Sequence, residues 1–87
     1  PLEVRWVAPA GQSLALTRVD ALAAAMLDGQ ADPRRRWLSA APRYVGRPML
    51  TERYVRMNAD EAARFWAAFE AGVADGSISR AVTLSGV

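Results

Sequence analysis

The sequence predicts a small α+β domain of two layers, β(β)α-loop-βαβ, with its helices packed on one face of a small sheet. Three observations predict it. Asn58 to Asp75 reads as a helix whose start, face and stop are all legible, Leu2 to Val7 and Met49 to Met57 alternate as strands do, and the second of these strands runs directly into the helix. At 87 residues the chain is read as one domain with a modest core, a size that gains stability from a partner or from self-association.

Leu2, Val4 and Trp6 fall on one side of the first strand and Glu3, Arg5 and Val7 on the other, the period-2 pattern of a half-buried sheet. Ala8-Pro9-Ala10-Gly11-Gln12 breaks it. Ser13 to Leu16 fits either a short second strand or the start of a helix. Thr17 followed by Asp20 at cap spacing favours a helix from Arg18 to Leu27, with Val19, Leu22, Ala23 and Met26 on one face and Asp28-Gly29 as its end. Between Gln30 and Pro48 the prolines 33, 42 and 48 stand too close together for a long element. Pro33 can open a helix of one or two turns through Arg34 to Ala40, followed by a loop.

Met49 to Met57 is extended: Thr51, Arg53, Val55 and Met57 alternate with Glu52, Tyr54 and Arg56. Asn58 then caps the principal helix, and Glu61 at the capping-box position and Asp60 place negative charge at the positive end of its dipole. At 100° per residue Ala62, Phe65, Trp66, Phe69 and Val73 share about a third of the circumference. That stripe needs a surface to cover it, and Gly76 supplies the stop. Ile78 to Leu84 reads as a last strand. Trp6 and Trp66 each sit on the apolar side of their elements and are expected in the core.

Composition excludes more than it identifies. Without cysteine or histidine there is no disulfide framework, no thiol chemistry, no Cys/His zinc site and no histidine base; without lysine there is no Schiff base. Ser13, Ser39, Ser77, Ser79 and Ser85 have no conventional base to activate them. The acid pairs Asp28 with Asp32 and Asp60 with Glu61 sit at helix ends, where acids serve the backbone, and nothing has the spacing of a calcium loop. No metal and no cofactor is expected. No apolar run reaches the about 18 residues of a membrane span, and Glu3, Arg5 and Trp6 stand where a signal peptide would differ, so the expectation is a cytoplasmic protein with no membrane partner.

Charge is unevenly placed along the chain. Residues 33–57 hold Arg34, Arg35, Arg36, Arg43, Arg47, Arg53 and Arg56 against Glu52 alone, whereas the flanking segments are both net acidic. All eleven basic residues are arginine, which with the abundant alanine fits a GC-rich coding bias. Arg34-Arg35-Arg36-Trp37, Arg43-Tyr44, Arg47 and Arg53-Tyr54 interleave guanidinium groups with rings, a composition suited to two uses. One is a protein interface, in which these arginines meet the flanking acids within one subunit or across an oligomer while Trp37 and Tyr44 pack as core or as anchors. The other is a nucleic-acid surface, where arginines neutralise phosphates and rings stack on bases, although no recognised nucleic-acid motif accompanies them. The expectation is a non-enzymatic binding or assembly module, a homo-oligomer or a subunit of a larger complex, of the kind found among phage or plasmid accessory and structural proteins. Nucleic-acid binding through the same segment is the alternative.

A second alternative concerns the first residues. Pro1, the strand Leu2 to Val7 and then Gly11-Gln12-Ser13 before a helix resemble the start of the tautomerase superfamily, whose members begin with a proline on a strand followed by a turn and helix. The resemblance covers residues 1–28, and Gln12 departs from the arginine that members often carry in that turn. It implies Pro1 as a general base, one of Arg34 to Arg36 or Arg43 as an anion binder, and a trimer or hexamer that completes the site.

Overall fold

A computed structural model describes residues 2–9, 11–27, 38–39, 43–44 and 49–86. Its elements are β1 (Leu2–Pro9), α1 (Ser13–Met26), β2 (Leu38–Ser39), β3 (Arg43–Tyr44), β4 (Met49–Met57), α2 (Ala59–Asp75) and β5 (Thr83–Gly86). Two helices pack against an antiparallel sheet, the small α+β domain expected. The sheet runs in the order β2-β4-β1-β5, with β3 also pairing β4.

Alternation along β1 decides which side is core. Val4, Trp6 and Ala8 are buried while the residues between them are half-buried. β1 lies antiparallel to β4 along its whole length, with Val4 opposite Val55 and Leu2 opposite Met57, so the apolar sides of the two strands coincide. Both helices cover that side: Leu16, Val19 and Ala23 come from α1, and Ala62, Phe65 and Phe69 from α2. Trp6 and Phe65 meet edge to face, with ring centroids 5.4 Å apart.

The ends of α2 follow its local chemistry. The Asn58 side chain accepts the Glu61 N–H at 2.8 Å, and the Glu61 carboxylate accepts the Asn58 N–H at 2.9 Å, a complete capping box. Glu61 lies off the apolar stripe and is nevertheless fully buried, because this reciprocal bonding holds it against the helix start. At the other end Gly76 takes φ 88°, a left-handed conformation that a side chain disfavours, and its N–H reaches the Val73 carbonyl. The Asp75 carboxylate accepts the Ser77 N–H, and that backbone bond, followed by the Ser77 hydroxyl, holds its pKa below the usual carboxylate range. Asn58→Ala is expected to lower the unfolding free energy by about 1 kcal/mol, read from the urea midpoint at constant slope. No change in midpoint would mean that the cap is not a stabilising contact.

Four expectations are corrected. α1 begins at Ser13, so Ser13 to Leu16 is its first turn and not a hairpin strand, and the helix does not wait for Arg18. Thr17 is not its cap: the Thr17 hydroxyl donates to the Ser13 carbonyl, and Gln12 stands at the N-cap with no side-chain bond. Leu38–Ser39 is strand, pairing with Tyr54 and Arg53, where a helix through Arg34 to Ala40 was expected; β4 offers an open edge that a two-residue strand can take. β5 begins at Thr83, later than Ile78, because Ile78 and Val82 are buried in the turns that lead to it. The Asp28-Gly29 ending lies outside the described residues, and α1 closes instead with Leu27 turning to extended backbone. Among the described residues no helix is long and apolar enough to cross a membrane.

Candidate functional site

The residues singled out by charge and aromatic content are placed unequally. Arg34, Arg35, Arg36, Trp37 and Arg47 lie outside the described residues, as does Pro1, so the tautomerase-like arrangement has no described geometry. Arg43 and Tyr44 form β3, opposite Leu50 and Met49 of β4. β3 therefore lies along β4.

Arg53 is the member of the set with a described side chain, and it turns inward. β4 alternation puts it on the side of Val55 and Met57, opposite Trp6 of β1. There Asp20 of α1 takes both neighbours: Arg53 Nε donates to one carboxylate oxygen at 2.8 Å and Trp6 Nε1 to the other at 2.7 Å. The side chains of the pair are 23% and 26% exposed, so the charges are partly desolvated and each needs the other. Arg53 thus ties α1 to the sheet by meeting an acid of a flanking segment within the chain.

The other side of the sheet carries a second charged group, of which the sequence singles out Tyr54 alone. Glu3, Arg5 and Val7 of β1 share it with Glu52, Tyr54 and Arg56 of β4. Arg5 Nη2 donates to Glu3 at 2.6 Å and Nη1 to Glu52 at 3.3 Å, while the guanidinium carbon lies 5.0 Å from the Tyr54 ring centroid. Hydrogen bonding to Glu3 first, and then to Glu52, raises the Arg5 pKa above its ordinary value. Val7, Pro9 and Leu50, further along this side of the two strands, are half-buried. Alternation within each strand contained the signal, but only the β1–β4 register brings Arg5 and Tyr54 opposite one another.

An apolar groove of about 330 Å³ opens on the helix side, at the end of the sheet where β5 finishes. Leu2, Val4, Ala62, Ala63, Trp66 and Gly86 line it. Trp66, expected in the core, is half-buried on its wall. Gly86 packs closely here: a Cβ there would stand 3.3 Å from Val4 Cα, 3.4 Å from Glu3 O and 3.5 Å from Trp66 Cζ3. Among the described residues no group of three or more acidic side chains is placed to hold a metal ion.

A small sheet with one face covered by helices defines a class of α+β domain and leaves the family open. The chain belongs to the urocanase C-terminal domain family, which matches residues 3–86. No curated protein and no solved structure matches it.

Proposed function

We propose that this chain is a non-enzymatic binding and assembly domain of a urocanase-type protein, and that it docks through the outer face of its sheet. The observation that carries this reading is the Arg5 cluster. A guanidinium held by Glu3 and Glu52 over the Tyr54 ring has its rotamer selected before any partner arrives. Pre-ordering of this kind lowers the entropy lost on docking, and arginine and tyrosine are typical anchors of protein interfaces. In register, Arg43 of β3 stands opposite Leu50, a residue of this same face of β4. The partner of this reading is the remainder of a urocanase-type protein, a choice supported by the family's description as a C-terminal domain.

The test is binding of this chain to a urocanase-type protein lacking its C-terminal domain, followed by calorimetry. Tyr54→Ala and Arg5→Ala are each expected to weaken binding about tenfold or more, with the far-ultraviolet spectrum unchanged. Equal affinity for the variants would sink the proposed surface. Nucleic acid that travels with the protein at low salt and leaves at high salt would replace it with the nucleic-acid reading.

A further inference from the structure

We infer that the groove between α1 and the end of α2 binds a free α-amino acid with an apolar side chain, its carboxylate against Arg18, its ammonium against Asp75 and its side chain on the groove lining. The site lies on the helix layer, away from the outer sheet face, and does not depend on the docking reading.

The groove has a volume of about 500 Å³. Leu22 of α1, Ala68 and Ala71 of α2, and Ile78 beyond it supply its apolar lining, and Arg18 and Asp75 are its charged residues. Ser77 and Ile78 are held down onto α2: the Ile78 N–H and the Ser77 hydroxyl both donate to the Gly72 carbonyl, at 3.0 and 3.3 Å. Gly72 permits that approach, since a Cβ there would stand 2.5 Å from Ile78 Cδ1 and 2.8 Å from its Cγ1. Both charges are anchored to the backbone of this one fixed residue. The Asp75 carboxylate accepts the Ser77 N–H at 2.8 Å, and Arg18 Nη1 donates to the Ser77 carbonyl at 3.4 Å. The N–H and carbonyl of a single residue therefore set the two charges within about 10 Å of one another. No ion pair closes between them, and the bonds from Ser77 that lower the Asp75 pKa keep it an anion at neutral pH.

An anion and a cation so spaced select their ligand. A lone carboxylate would meet Arg18 and be repelled by Asp75, and a lone amine would meet the reverse. A zwitterion satisfies both: the charged groups of an α-amino acid are carried by one carbon, about 3 Å apart, and a charge-assisted hydrogen bond of about 2.8 Å at either end bridges the gap. The remaining substituent is left for the apolar lining, in a groove of small-ligand size. Arg18 and Asp75 are exposed, so solvent screens both contacts and the affinity is modest.

The test is a titration of isotope-labelled protein with L-leucine, followed by amide chemical shifts. Saturable shifts centred on Leu22, Ser77 and Ile78 are expected. Isocaproate, which lacks the ammonium, and isoamylamine, which lacks the carboxylate, should each bind at least tenfold more weakly. Arg18→Ala and Asp75→Asn should each weaken leucine binding at least tenfold. Both substitutions fall on exposed residues, and the asparagine oxygen can still accept the Ser77 N–H, so the turn is kept. No saturable shift with leucine, either analogue binding as tightly as leucine, or unchanged leucine affinity in Arg18→Ala would overturn the inference.

Discussion

Phe65→Ala is expected to lower the unfolding free energy by about 3–5 kcal/mol, a large share of the roughly 5–15 kcal/mol that holds a small domain folded. Phe65 is fully buried and its ring meets the edge of Trp6, so the truncation opens a cavity where α2 contacts the sheet. Urea unfolding followed by far-ultraviolet circular dichroism measures the loss. Phe65→Leu, which keeps most of the volume, should recover more than half of it. A loss below about 1 kcal/mol for the alanine variant would mean that α2 does not rest on Trp6 as described.

Asp20→Ala is expected to cost about 2–3 kcal/mol, more than an exposed ion pair is worth, because one carboxylate serves two donors. Arg53 would keep a partly buried charge without this counter-ion, and the Trp6 indole would lose its 2.7 Å acceptor. Asp20→Asn should be milder, since an amide oxygen can still accept. A double-mutant cycle with Arg53→Ala isolates the pair, and a coupling within error of zero would return Arg53 to the surface cations available for binding. The same cycle separates stability from recognition. Arg53→Ala should weaken folding while leaving the salt dependence of any nucleic-acid binding unchanged.

These two residues also show where local reading succeeds and where it stops. Phe65 is legible because a helix repeats every 3.6 residues and its neighbours on the stripe are apolar, so burial follows from spacing. Arg53 is not: its position among Val55 and Met57 was readable, but the acid that makes an inward arginine tolerable lies 33 residues away on another element. The start of α1 was missed for a different reason. Gln12 makes no side-chain cap and the first turn holds no acid, so the usual signal was absent while a false one stood at Thr17 and Asp20. The stripe of α2 puts Trp66 in the core, whereas it stands on the wall of a groove whose opposite side includes Gly86, 20 positions on in the sequence.

By itself the sequence determined what depends on near neighbours along the chain: the capped and stopped helix α2, the alternating strands β1 and β4, and the exclusion of histidine, cysteine and lysine chemistry. Only the tertiary structure decided which strands pair, that Leu38–Ser39 and Arg43–Tyr44 join β4, and that Arg5 rather than Arg53 faces outward beside Tyr54. The physical reason is range. Capping, periodicity and backbone conformation are settled within a few residues, whereas register and ion pairing compare segments far apart in sequence, and their outcome depends on which apolar faces can be buried together.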